Sequence, residues 1–126
     1  MTAVPGAFSQ QITFLDTRDL ERTADFYERI LGLRLALDQG ACRIYHVCGH
    51  AYIGFCQRAD APLPAPHVTL TLITDDVDEW CAHLKAQGVE IVKEPADNAA
   101  YRIYNAFARD PSGYLVEIQR FWDPLR

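Results

Sequence analysis

Two stretches of this chain match each other in pattern. "TRDLERTADFYERILGLRL" (residues 17–35) aligns with "TDDVDEWCAHLKAQGVEI" (residues 74–91), so that Asp19-Leu20-Glu21 falls on Asp76-Val77-Asp78 at an offset of 57 and Gly32-Leu33 on Gly88-Val89 at an offset of 56. Such self-similarity constrains the fold more than any single motif, because it makes the chain two copies of one supersecondary unit. Each copy reads as an amphipathic helix, over residues 19–31 and 76–87. Leu20, Thr23, Ala24, Tyr27 and Leu31 share a face in the first, and Val77, Trp80, Cys81 and Leu84 in the second. Asp19 and Asp76 stand at N-cap positions, Asp76 with Glu79 forms an acidic capping box, and Gly32 and Gly88 stand where a helix needs a left-handed residue to stop.

A strand-like run precedes each helix, Gln11 to Asp16 and His67 to Ile73, and three follow it. These are Arg34–Leu37, Cys42–Val47 and Ala51–Cys56 in the first half, and Glu90–Lys93, Arg102–Ala108 and Tyr114–Arg120 in the second. The fold class expected is therefore α+β, with two βαβββ units over residues 10–57 and 67–121 joined by the proline-rich link 58–66 into one domain spanning 1–126. One helix cannot cover a four-stranded sheet, so the two sheets are expected to curl together around a shared cleft, the default place for a ligand.

Composition narrows the function classes. At 126 residues, 49% of them hydrophobic, the chain has enough for one core of ordinary size. A net charge of −5 with twelve scattered Lys and Arg offers no basic track, so nucleic acid is not an expected partner. The opening "MTAVPGAFSQQ" lacks a charged segment followed by an apolar run, and nowhere do about 18 apolar residues follow one another, so a cytoplasmic location without membrane association is expected. On that location the four cysteines, Cys42, Cys48, Cys56 and Cys81, are expected as reduced thiols. Cys42, His46, Cys48 and His50 crowd together but lack the paired spacing of a structural zinc site and read as strand and turn residues.

Three features bear on chemistry. In "DPSGYLVEIQRF" (residues 110–121) a turn runs into an apolar strand whose alternation sets Tyr114, Val116 and Ile118 on one side and Leu115, Glu117 and Gln119 on the other. Glu117 is the carboxylate to explain. Next, Arg43-Ile44-Tyr45 and Arg102-Ile103-Tyr104 repeat a motif in equivalent strands, with arginine and tyrosine on one face. If that face looks into the cleft, two guanidinium groups and two phenols meet an anionic or aromatic ligand; if it looks at the helices, the rings are core. In "NAAYRIYNAFARD" (residues 98–110), Tyr101, Ile103, Asn105 and Phe107 share the opposite face.

The helix signature "DLERTADFYERILGL" and the terminal "RDPSGYLVEIQRF", in that order, resemble the vicinal oxygen chelate superfamily of glyoxalase I, extradiol dioxygenases and fosfomycin- and bleomycin-resistance proteins, over about residues 10 to 121. The resemblance implies a homodimer with a small-molecule cleft. In metal-dependent members, it implies a divalent ion held by side chains on the first and last strands of each unit. Mapped through the helix signature, those positions are Ile12, Thr69, Gly54 or Phe55, and Glu117. One carboxylate and one threonine make a poor ligand set. A slipped set would use His67, two residues before Thr69, with Glu117 and Gln10 or Gln11; alternatively His67 is a rim residue at the strand end. Glu117 then reads as ligand, general base or hydrogen-bond anchor, or as an ion-pair partner of Arg43 or Arg102. Three functions stay open: a glyoxalase-like lyase, isomerase or dioxygenase using Glu117; a metal-free protein that sequesters a drug or metabolite, with Arg43, Tyr45, Thr69, Arg102 and Tyr104 lining its cleft; or a regulatory domain with a vestigial pocket. No sequence motif implies a cofactor beyond that candidate metal.

Overall fold

A computed structural model of the chain describes residues 5–64 and 67–125. Two residues of the expected link, 65 and 66, lie outside the described residues. The chain divides into two compact units, Met1–Ala61 and Pro62–Arg126. In the first unit the order is β1 (Gln11–Thr17), α1 (Leu20–Ala24, continuing as a π-helix over Asp25–Ile30), β2 (Arg34–Asp38), β3 (Cys42–Cys48) and β4 (Ala51–Gln57). In the second it is β5 (Thr69–Ile73), α2 (Val77–Ala86), β6 (Ile91–Asn98), β7 (Ile103–Arg109) and β8 (Leu115–Phe121). Each unit is one mixed four-stranded sheet, ordered β1-β4-β3-β2 and β5-β8-β7-β6. The first strand pairs in parallel with the last, and the other neighbours are antiparallel. The expected α+β fold with two βαβββ units is the observed one.

Local chemistry sets the helix ends. Asp19 accepts the Arg22 N–H at 3.1 Å and so satisfies one of the free donors of the first turn. Gly32 and Gly88 take φ values of 73° and 77°, the left-handed conformation that ends each helix. The expected capping box at Asp76 does not form. The Thr74 hydroxyl accepts the Asp76 N–H at 3.1 Å instead, and the Asp76 side chain makes no capping bond. The π-helical half of α1, marked by the Leu31 N–H bonding to Phe26 O at 2.9 Å, buries Phe26, Tyr27, Ile30 and Leu31.

The aromatic core of the first unit lies between α1 and its sheet. The Tyr27 ring lies 4.4 Å from Phe55 and 6.4 Å from Tyr45, both fully buried. In the second unit Val77, Cys81 and Leu84 are the buried residues of α2, which packs on β6, β7 and β8. Alternation then gives each sheet a face toward its helix and a far face.

One expectation about cysteine is corrected. Cys42 and Cys56 are joined as a disulfide across β3 and β4, where they are direct register partners. Cys48 and Cys81 are free. Among the described residues no helix is long and apolar enough to cross a membrane.

Because Phe55 is fully buried beside the rings of Tyr27 and Tyr45, Phe55→Ala is expected to destabilise the chain by about 3–5 kcal/mol. The denaturant midpoint measures this, and a loss below about 1 kcal/mol would show that the aromatic cluster does not hold the first unit together.

Candidate functional site

The far face of the second sheet carries a closed polar network centred on Glu117. It begins at the turn before β8, where the buried Asp110 side chain accepts the Ser112 and Tyr114 N–H groups at 2.9 Å each, and Gly113 at φ 91° completes the bend. The turn launches β8 so that Glu117 lies beside Thr71 of parallel β5 and Phe107 of antiparallel β7. The Thr71 hydroxyl donates to Glu117 Oε1 at 2.8 Å, and Asn105 Nδ2 donates to Oε2 at 2.7 Å. With the Gln119 amide turned so that its nitrogen faces the carboxylate, it donates to Oε2 at 2.6 Å and to Oε1 at 3.2 Å. The opposite rotamer would set oxygen against oxygen.

Lys93 completes the set from β6. Its Nζ donates to Asn105 O at 2.8 Å and to Asn105 Oδ1 at 2.9 Å, which fixes the amide with its oxygen toward the ammonium and its nitrogen toward Glu117. Cation, amide and carboxylate thus form one electroneutral chain, the arrangement that makes a carboxylate only 9% exposed tolerable. A carboxylate has about four lone-pair sites, and three side chains already fill most of these. Glu117 is a hydrogen-bond hub: as a general base it would have to give up Thr71, Asn105 or Gln119 first.

The other sequence-predicted residues lie elsewhere. Arg43 and Tyr45 turn toward α1, where Arg43 donates to Glu21 at 2.6 Å and Tyr45 is fully buried against the aromatic core. Burial first, and then nearby Glu28, pushes the Tyr45 phenol up to about 12. Tyr104 turns toward α2 and donates to Asp78 at 2.5 Å, with the Arg120 guanidinium 4.8 Å over its ring. The Asp78 hydrogen bond, ahead of burial, raises the Tyr104 pKa. Arg102 sits before β7 in a left-handed conformation at φ 56°, paired with Asp123 at 2.6 Å and stacked 5.1 Å from the Trp122 ring. The Arg-Ile-Tyr residues therefore do not form a common ligand surface, and neither arginine pairs with Glu117. His67, at φ 62° and exposed, precedes β5 and does not continue its face toward Glu117. Thr69 is on β5 but opposite Leu115; the threonine beside Glu117 is Thr71, two residues on. Asn105, Gln119 and Lys93 also belong to the site. Alternation marked the first two, whereas Lys93 is brought in across irregular pairing on either side of it in β6.

The first unit has an equivalent pair. Phe14 and Gly54 face each other across β1 and β4, as Thr71 and Glu117 do across β5 and β8, and Phe14 and Thr71 keep the repeat offset of 57. The Phe14 ring lies so close over Gly54 that a Cβ there would meet it at 2.5 Å. The four positions that the register makes equivalent are thus Phe14, Gly54, Thr71 and Glu117. Two of them have no donor, and Glu117 is already occupied by hydrogen bonds. Among the described residues no group of three or more His, Cys, Asp or Glu could hold a metal ion. This donor set does not fit a divalent ion.

Fold and site together define a protein built of two βαβββ units, the second of which carries a polar network on the far face of its sheet. Residues 10–118 match the model of the Glyoxalase/Bleomycin resistance protein/Dioxygenase superfamily, and the chain belongs to that superfamily. It is 25% identical over 123 residues to a lactoylglutathione lyase of Neisseria meningitidis serogroup A, covering 83% of this chain and 85% of that protein. Among solved structures, a lactoylglutathione lyase from Agrobacterium tumefaciens superposes with a TM-score of 0.71 at 26% identity, covering 93% of this chain and 96% of that one. A superfamily member from Nocardioides superposes with a TM-score of 0.73 at 19% identity, covering 98% and 89%, a likeness of fold alone.

The Tyr45 shift has a testable sign. Its folded pKa of about 12 exceeds the ordinary 10.0, so the folded chain keeps this proton where the unfolded chain loses it. The stability this supplies is intact below pH about 10 and is lost as the pH climbs toward about 12. In Tyr45→Phe, the fall of Tm over that window should become shallower; an unchanged slope would place the phenol in contact with water.

Proposed function

We propose that this protein binds a small organic molecule at the Glu117 network without a divalent metal. The observation that carries the reading is that both carboxylate oxygens of Glu117 are held by Thr71, Asn105 and Gln119, with Lys93 neutralising the charge through Asn105. An electroneutral, pre-ordered network suits an uncharged hydrogen-bonding group better than an anion, since each donor and acceptor is already fixed and no net charge awaits a counter-ion. The anionic ligand expected from paired arginines loses its basis, because Arg43 and Arg102 are engaged by Glu21 and Asp123. The same reading treats the chain as one glyoxalase-like domain acting as a homodimer, as the resemblance to the superfamily implies, and as cytoplasmic, as the sequence pattern leads one to expect. Sedimentation showing a monomer at high micromolar concentration would remove the dimer.

A lyase reading is favoured by the names of the relatives above. It requires Glu117 to serve as ligand or base, and so to release at least one of its present hydrogen bonds.

Thermal shift separates the two. Ni, Mn, Fe and Zn ions are expected to leave Tm unchanged, and the purified protein to carry no stoichiometric metal. One tightly held ion per chain, lost in Glu117→Ala, would overturn the metal-free reading. In a screen of neutral polar compounds and small carboxylates, stabilisation should come from the former. Asn105→Ala should weaken it by about ten- to a hundredfold, the loss of one hydrogen bond to a charged group, while Arg102→Ala leaves it intact. A ligand whose binding ignores Asn105→Ala but falls in Arg102→Ala would move the site to the β7 turn.

A further inference from the structure

We propose that Cys42 and Cys56 form a thiol–disulfide exchange site, opened and closed by a small monothiol and its disulfide while the chain stays folded. The argument starts from the ladder. Gln57 N–H bonds to Ala41 O at 2.7 Å, which makes Ala41 and Gln57 the hydrogen-bonded pair at this end of β3 and β4. Cys42 and Cys56, the next pair inward, are therefore a non-hydrogen-bonded pair, with Cα atoms 4.0 Å apart. In such a pair the side chains approach each other while the backbone hydrogen bonds lie on either side. Cleaving the S–S bond removes no strand–strand hydrogen bond.

Position makes the bond reachable. Cys42 and Cys56 project from the far face of the first sheet, beside Asp16 of β1, and both are only half-buried. Cys81, by contrast, is buried on the helix side of the second unit. The bond also sits where its loss would be felt. Gln57, next to Cys56, accepts the Leu20 N–H at the start of α1 at 2.7 Å and donates to Arg18 O, so the end of β4 anchors the first turn of the helix. Reduction loosens that corner and leaves the aromatic core around Tyr27 and Phe55 untouched.

The chemistry balances without any group beyond the monothiol. Its thiolate attacks one cysteine sulfur, the protein S–S bond breaks, a mixed disulfide forms and the other cysteine leaves as a thiolate. A second monothiol attacks the mixed disulfide and releases the monothiol's own disulfide. Two electrons and two protons have then passed to the protein, which holds two thiols.

The test uses the full chain with Cys48→Ser, which removes the exposed free thiol from competition. The protein is equilibrated without denaturant in buffers of varied reduced-to-oxidised glutathione ratio, quenched by alkylation and mapped by peptide mass. Cys42 and Cys56 should become alkylated together, revert fully in oxidised glutathione, and keep the same far-UV circular dichroism throughout. Reduction should lower Tm by roughly 5–15 °C, the scale expected for opening a loop of this length in a domain of this size. Glutathione dependence of Tm should vanish in the double variant Cys42→Ser, Cys56→Ser. A bond that opens only once denaturant unfolds the chain would make it a purely structural cross-link. Thiols that stay alkylatable in oxidised glutathione, or a Tm response that survives in the double variant, would equally overturn the proposal.

Discussion

The parallel pairing of the first strand of each unit with its last is the constraint from which the rest follows. A helix and two strands intervene before that pairing closes, so the closing contact is non-local and cannot be made by a tight turn. Once it closes, register is fixed, and register decides which side chains meet. Thr71 stands beside Glu117 because β5 runs parallel to β8 in this alignment, and Phe14 stands beside Gly54 because β1 repeats it against β4. A slip of one residue would turn Glu117 to the helix side, into the place now filled by buried Val116 and Ile118, and turn those two apolar side chains to the far face. The Asp110 turn guards against that slip by fixing where β8 begins.

Equivalent positions in the two units have taken opposite solutions to the same geometric problem. In the second unit, a carboxylate, a hydroxyl, two amides and an ammonium satisfy one another, and the cost of burying each polar group is offset by the next. In the first, the carboxylate position is a glycine and the hydroxyl position a phenylalanine whose ring lies over it, half exposed at 51%. Glycine is favoured there by contact, since a Cβ would meet the Phe14 ring at 2.5 Å and push it away. The network is also all-or-none: removing one member strands a buried partner, which costs more than the bond itself contributed.

What the sequence made legible was the local chemistry and the repeat. The Asp19 cap, the glycines that end both helices and the offset of 57 all depend on near neighbours along the chain, and they are where the helices and strands lie. Faces were harder. Alternation in Arg-Ile-Tyr separates two faces but does not say which one meets the helix, and it is the helix face that takes Tyr45, into the aromatic core, and Tyr104, which donates to Asp78. His67 and Arg102 were read as strand residues because nothing in their side chains announces a positive φ, which is uncommon outside glycine. Thr69 and Thr71 are indistinguishable by pattern in Thr-Leu-Thr-Leu, so strand register alone could choose between them. The disulfide escaped because the expectation of reduced thiols rested on an expected cytoplasmic location, whereas the facing of Cys42 and Cys56 depends on the hairpin register.

A sheet of this kind can accept different residues on its far face for a physical reason. Each sheet is held by its backbone ladders and by the apolar packing of its helix face, so a far-face network can be replaced as a set, though not one member at a time. Phe55, Tyr45 and Tyr27 in one unit, and Val77, Leu84 and Val116 in the other, would hold their strands in place whatever stood at the four equivalent positions. Donor sets can therefore be exchanged there without renegotiating the fold, and a matching fold leaves the chemistry undetermined. In this chain two of those positions carry no donor, the Phe14 ring lies over Gly54, and the carboxylate of Glu117 is held by neighbours that saturate it. The side chains around Glu117 are consequently better evidence of what this protein does than the activity named for any relative that shares its strands.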